Sequence, residues 1–359
     1  MRLQPHIRSF VAVLVTTLLF AAACQPRQAA QPTAEKIRVG IVYDVGGRGD
    51  LSFNDMAFAG LERAQQEFGD RIETRDLEPA AGGENREELL RLLAGEGFAL
   101  VFGIGFLFTD SIKRVAEEFP NVKFGLVDGF IEELNEDSNI VCLLFNEHEG
   151  SFLVGAAAAM KSQTGRVGFV GGMRIPLIEK FEAGFIAGAK YVNPHIEVFS
   201  DYAGTTGEAF RDPVKGRELA LAQYDRGADI IYHASGGTGI GVFEAAVERR
   251  RLAIGVDADQ SLTVKEDQRP HILTSMLKRV DVAVYETIKA LVEGQFKGGY
   301  RNFGLADDGV GYAENDYNRD MIADIKPRLE ELKQKIVAGE IRVPSTRQEL
   351  EEFLRTLRR

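Results

Sequence analysis

The sequence predicts an α/β protein built as two doubly wound, parallel-sheet lobes. Three observations point there. Short β-branched runs alternate with amphipathic stretches of helix length from Lys36 onward. The runs fall into two series, each long enough for a sheet of its own. The stretch from Lys36 to Arg359 also exceeds the size at which one hydrophobic core usually stops growing.

The chain opens with Arg2 and Arg8, then an apolar run from Phe10 to Ala23, then Cys24. The run is too short to span a bilayer, which takes about 20 apolar residues, so residues 1–23 read as a cleaved signal peptide. A cysteine directly after three alanines resembles a bacterial lipobox, with Ala21 where leucine is usual. Cys24 is therefore expected to be lipidated and to become the mature amino terminus, anchoring the protein outside the cell membrane. Residues 24–35 carry Pro26 and Pro32 among polar and small side chains and read as a flexible tether.

The formal charge of −11 becomes −13 once Arg2 and Arg8 are removed, and the basic runs are short, Arg249-Arg250-Arg251 and Arg358-Arg359. Nucleic acid is therefore not an expected partner. Of the two cysteines, Cys142 lies alone in an apolar strand pattern, so no internal disulfide is expected.

In the first series, strands are expected at 37–42, 72–75, 100–102, 124–127 and 140–145. The second series puts them at 167–170, 196–199, 230–233, 252–256 and 272–276. Helical patterns intervene at 54–68, 86–93, 111–118, 150–160, 179–191 and 242–249. In such sheets ligands sit outside the carboxyl ends of the strands, and the polar and glycine-rich segments of this chain fall there: 43–54, 103–110, 128–129, 171–176, 235–241 and 257–261. One such loop is an ordinary turn, but six together indicate a cleft between the lobes.

The segment Val42-Tyr43-Asp44-Val45-Gly46-Gly47-Arg48-Gly49-Asp50-Leu51-Ser52-Phe53-Asn54 resembles the opening signature of the basic membrane protein family. These are lipoprotein substrate-binding components of ABC transporters, of the purine nucleoside receptor type. Collinear matches continue at 169–176, 181–185, 227–231, 234–239, 255–260 and 274–278. Arg48-Gly49 departs from the family pattern, and a carboxyl-terminal helix from Thr346 extends it.

The resemblance implies a periplasmic-binding-protein fold of type I, ribose-binding-like, with three crossovers at 140–145, 272–276 and 302–312. Lobe one would hold 36–146 plus 279–305, and lobe two 147–275 plus 313–359. It further implies an ABC permease and ATPase as partners, no cofactor and no catalysis.

A nucleoside needs aromatic faces for its base, polar partners for the base edge, and acceptors and donors for its hydroxyls. Phe53 and Phe181 start the first helix of each series; helical spacing alone makes Phe181 a core residue, and the resemblance makes both rings a sandwich for a purine. Asp44, Asn54 and Asp128 follow first-series strands and offer what a purine edge needs, although each alone is equally a cap or turn residue. Asp50 and Ser52 are assigned to capping the first helix, and Asp259-Gln260 to a turn and cap.

Asp257, at a strand end, with Lys278, read as the start of the helix after the crossover, would hold vicinal hydroxyls; without a ligand the same pair is a salt bridge between lobes. Gly236 and Gly237 would let the backbone approach the sugar. A flavin or another flat heterocycle carrying a polyol fits the same requirements.

An enzyme reading rests on Gly237-Thr238-Gly239-Ile240-Gly241, with Asp257 twenty residues beyond Gly237, which approaches a dinucleotide fingerprint. It fails at the third glycine, where Val242 stands. The five histidines show no metal-ligand spacing, and His233 reads as a satisfied buried side chain. A sensor passing its ligand to a signalling partner would carry the same lobes.

Overall fold

The computed structural model describes residues 35–357. Twelve strands form two sheets of six. The first contains β1 (Ile37–Val42), β2 (Ile72–Leu77), β3 (Leu100–Ile104), β4 (Lys123–Val127), β5 (Ile140–Phe145) and β11 (Gly299–Phe303), in the order β11-β5-β4-β3-β1-β2. The second contains β6 (Arg166–Met173), β7 (Glu197–Gly204), β8 (Ile230–Ala234), β9 (Leu252–Asp257), β10 (Ile272–Lys278) and β12 (Val310–Tyr312), in the order β12-β10-β9-β8-β6-β7. The two orders are the same pattern repeated, and every pairing is parallel except the edge pair β10–β12.

Both faces of each sheet are covered, which is why the strands read as near-continuous apolar runs. On the first sheet, α2 (Arg86–Gly95) and α3 (Thr109–Glu118) bury Leu90, Leu93 and Ile112 against Val101 and Phe124. The other face takes α1 (Phe53–Phe68) packed on α8 (Val280–Val292). On the second sheet, α6 (Pro213–Asp225) and α7 (Gly239–Arg249) cover one face with Ala220, Tyr224, Val242 and Phe243. The opposite face carries α4 (Glu147–Lys161) and α5 (Pro176–Val192), followed near the carboxyl end by α9 (Arg319–Ile322), α10 (Lys326–Val337) and α11 (Arg347–Leu357).

The chain passes between the sheets three times: from β5 into α4, from β10 into α8, and from β11 to β12. This is the doubly wound architecture that the strand and helix pattern predicts, with the three crossovers that the family resemblance implies. Strands β11 and β12 and helices α6, α9 and α10 were not among the predicted elements. β12 is only three residues long, and the alternating charges of α10 conceal its buried stripe of Leu329, Leu332 and Ile336.

Helices α4 and α5 approach closely because glycines face the partner backbone. A Cβ on Gly188 would lie 1.9 Å from the Phe152 carbonyl oxygen, and one on Gly155 would lie 2.1 Å from that of Phe185. No helix among the described residues is long and apolar enough to cross a membrane. Cys24, the signal peptide and nearly all of the tether lie outside the described residues.

Candidate functional site

The carboxyl ends of the strands of both sheets face one cavity, with about 580 Å³ of atom-free space including the solvent at its mouth. Of the residues singled out from the sequence, Asp44, Phe53, Asn54, Asp128, Phe181, Gly236, Asp257 and Lys278 all line it. Gly237 does not; it lies behind the wall, where a Cβ would come within 3.4 Å of the Phe210 carbonyl oxygen.

The first helix shows how local chemistry builds the site. Asp50 accepts from the backbone N–H groups of Ser52, Asn54 and Asp55 at 2.9, 2.9 and 3.2 Å, which satisfies the exposed donors of the α1 amino terminus. Its Oδ2 also takes the Asn54 side-chain amide at 3.1 Å. Asn54 Oδ1 accepts in turn from the Asp44 backbone N–H at 3.0 Å, so Asn54 is tied on both ends while its edge lines the cavity.

Ser52 does not cap the helix, contrary to the sequence reading; Asp50 already holds the donors that Ser52 would have bonded. Ser52 Oγ instead donates to Asp257 Oδ2 at 2.5 Å, joining the first lobe to the second. Gln260 is likewise more than a turn residue. Fully buried, it donates to the Leu51 carbonyl at 3.0 Å and accepts from the Val256 N–H at 2.8 Å.

Lys278 is the last residue of β10, one strand-end earlier than expected, because β10 continues past Met276 to pair with β9 and β12. Its ammonium lies 2.5 Å from Asp128 Oδ2 and 3.1 Å from Glu147 Oε1. Its direct partners are therefore Asp128 and Glu147, where the sequence had suggested Asp257. The rings of Phe145, Phe53 and Phe181 surround it at 5.0, 5.2 and 5.4 Å.

Burial alone would depress the Lys278 pKa, but the charges of Asp128, Glu147 and Asp257 more than offset this and hold it above the usual lysine value. Asp257 is pushed upward by burial, with Lys278 and Ser52 opposing. Asp44 is raised to about 6 by burial, against the pull of the Val45 N–H and of Arg86, whose guanidinium lies 3.4 Å away. Asp128 and Asp257 end equivalent strands of the two sheets, and both adopt left-handed backbone, at φ 63° and 64°. Aspartate tolerates that conformation better than most residues, and it accompanies the turn of each side chain into the cleft.

His233 is the satisfied buried side chain expected, with Gln260 Oε1 at 3.0 Å from Nε2 and Ser235 Oγ at 3.3 Å from Nδ1. Burial holds its pKa down at about 4. Arg48 is not among the lining residues: its guanidinium stacks 3.2 Å from the Phe58 ring and pairs with Asp55 at 3.4 Å.

Sequence reasoning did not single out Phe106 and Phe210, which line the cavity from opposite lobes with ring centroids 6.5 Å apart. A signal existed for Phe106, in a loop already assigned to a strand end. Phe210 gave none, because β7 runs five residues beyond its expected end. Glu147 also escaped notice, as an acidic residue at a helix start is usually a surface feature. Among the described residues no group of His, Cys, Asp and Glu could hold a metal ion.

Residues 37–347 match the family described as PnrA-like ABC transporter substrate-binding proteins. The CD4+ T-cell-stimulating antigen of Listeria monocytogenes is 36% identical over 87% of this chain and 89% of its own. Basic membrane protein D of Borreliella burgdorferi is 32% identical over 94% and 95%. An uncharacterised lipoprotein of Pyrococcus abyssi is 35% identical over 90% and 88%.

Among solved structures, a solute-binding protein of an ABC transporter system from Aeropyrum pernix superposes with a TM-score of 0.76 at 31% identity, covering 90% of this chain and 97% of that one. The arabinose-binding protein AraP of Geobacillus stearothermophilus, at 15% identity and a TM-score of 0.58 over 80% of this chain and 99% of its own, shares the fold. A sheet pair closing on one buried cleft and a family match over nearly all the described residues agree: the chain belongs to the PnrA-like substrate-binding proteins of ABC transporters, a family of binding proteins and not of enzymes.

Proposed function

We propose that the cleft binds a purine nucleoside and presents it to a permease and ATPase for uptake, with the protein held at the outer face of the cell membrane through a lipid on Cys24. Names of relatives such as lipoprotein and basic membrane protein support the anchoring. The observation that carries the ligand reading is the division of the cavity into two chemistries. Aromatic rings line it from both lobes, Phe53 and Phe106 from one and Phe181 and Phe210 from the other, and beside them lie Asp128, Asp257 and Lys278. A flat base suits the first and a hydroxylated sugar the second; stacking on one ring contributes about 1–3 kcal/mol. Asp44 and Asn54 are then the partners of the base edge.

Calorimetry on residues 36–359 with inosine, guanosine and adenosine tests this, with the free bases and 2′,3′-dideoxynucleosides as controls. One-to-one binding without turnover is expected, the nucleoside ahead of both controls, and Asp257→Ala should lose much of that preference. No heat with any nucleoside, together with a flavin released on denaturation, would transfer the assignment to that flat, polyol-bearing heterocycle.

A further inference from the structure

We propose that Glu147, the first residue of α4, is a positioning residue for the binding site: it shares the Lys278 ammonium with Asp128, leaving one ammonium N–H and one Asp128 oxygen free for a hydroxyl of the ligand. The hydroxyl rests on the nucleoside reading above; the positioning does not.

Glu147 is fully buried, and its two oxygens face different cations: Oε1 lies 3.1 Å from Lys278 Nζ and Oε2 lies 3.1 Å from Lys180 Nζ. Lys180, on α5, also donates to the Phe145 carbonyl at 3.2 Å, where β5 ends and the chain crosses to α4. The result is an alternating row, Asp128, Lys278, Glu147, Lys180, that runs from the end of β4 in the first lobe to α5 in the second. Its two negative and two positive charges cancel, which is the condition for burying charge at tolerable cost.

An ammonium has three N–H donors. Asp128 Oδ2 takes one at 2.5 Å, while Glu147 Oε1, 3.1 Å away, is ion-paired with the ammonium without a hydrogen bond, so at least one N–H is left for the cavity that Lys278 lines. Asp128 Oδ1 is buried and has no partner among the described residues. A free donor beside a free acceptor on the wall of an enclosed cleft is what one hydroxyl satisfies, since it donates and accepts at once.

Glu147 keeps that arrangement open. Without its charge, Lys278 has no reason to stand between two carboxylates and moves onto both oxygens of Asp128, which consumes the free acceptor. Without Lys180, the pull runs the other way: Glu147 holds Lys278 more strongly and Asp128 keeps less of it.

Asp128 reports these movements. Burial raises its pKa; Lys278 on β10 lowers it, while Glu147 on α4 and Asp257 on β9 raise it further. Glu147→Gln removes a neighbouring negative charge and tightens Lys278 on Asp128, so the Asp128 midpoint should fall. Lys180→Met should raise it. Two substitutions in one cluster that shift a third residue in opposite directions are not explained by general loosening.

The test is a carboxyl carbon NMR titration of Asp128 in the ligand-free protein, paired with calorimetry for inosine and hypoxanthine. In Glu147→Gln, inosine should weaken about tenfold while hypoxanthine stays within about twofold, and the midpoint should fall. Lys180, partly exposed, is the safer substitution; if Glu147→Gln does not fold, an upward midpoint in Lys180→Met still supports the assignment. Midpoints that stay fixed or move the same way in both variants overturn it, as does equal weakening of inosine and hypoxanthine. Opposite midpoint shifts in a protein that binds no nucleoside would leave the positioning standing and remove the ligand reading alone.

Discussion

Ser52→Ala separates two roles that one residue could play. As a helix cap, Ser52 would contribute about 1 kcal/mol to the stability of α1, lost on substitution. In the structure the cap belongs to Asp50, and Ser52 Oγ spends its proton on Asp257 Oδ2, 2.5 Å away across the cleft. A hydrogen bond to a charged group is worth roughly 1.5–3 kcal/mol, a factor of about 10 to 100 in an equilibrium constant. That bond exists only when the lobes are together, so its loss falls on closure. If the free protein is mostly open, the whole factor passes into the apparent affinity.

Calorimetry with inosine should therefore show Ser52→Ala binding about tenfold or more weakly, with Ser52→Thr, which keeps the hydroxyl, close to wild type. The ligand-free melting temperature should stay within about 1 °C of wild type, since helix and cores are untouched. Scattering on the free and bound forms establishes whether closure is the step affected. The reasoning fails if Ser52→Ala binds within twofold of wild type, or if it loses several degrees of stability while binding normally, which is the signature of a cap.

Gly188→Ala should destabilise the second lobe by about 3 kcal/mol or more, because the new methyl meets backbone, the Phe152 carbonyl at 1.9 Å, and α4 must move away from α5. Denaturant melts check this, and an unchanged midpoint would mean that the helices separate freely. Cys24→Ser should leave an unlipidated precursor or a soluble chain in place of a membrane-associated one. Wild-type protein found wholly in the soluble fraction outside the cell would end the anchor proposal.

The architecture was legible because buried parallel strands need uninterrupted apolar runs, and Ile37–Val42, Ile140–Phe145 and Ile230–Ala234 declare themselves without reference to anything distant. The cavity residues were legible for a related reason. Strand ends must turn, and a turn that carries Asp44, Asp128 or Asp257 in place of a plain glycine marks where polar chemistry faces the cleft.

Pairing was not legible. The residue types around Lys278 allow Asp257, Asp128 or Glu147 as its partner, and only the meeting of β4, β10 and the start of α4 selects the last two. Ser52 stands in a good capping position by sequence, yet Asp50, two residues earlier, reaches the same donors first and releases the hydroxyl for the opposite lobe. Phe210 lies beyond the expected end of a strand that proved longer, so its place in the cavity followed from how far β7 pairs with β6. Periodicity and turn chemistry are local and are written into consecutive residues. Which buried charge faces which is decided by segments up to 150 residues apart, as Asp128 and Lys278 are, and that information exists only once the sheets have assembled.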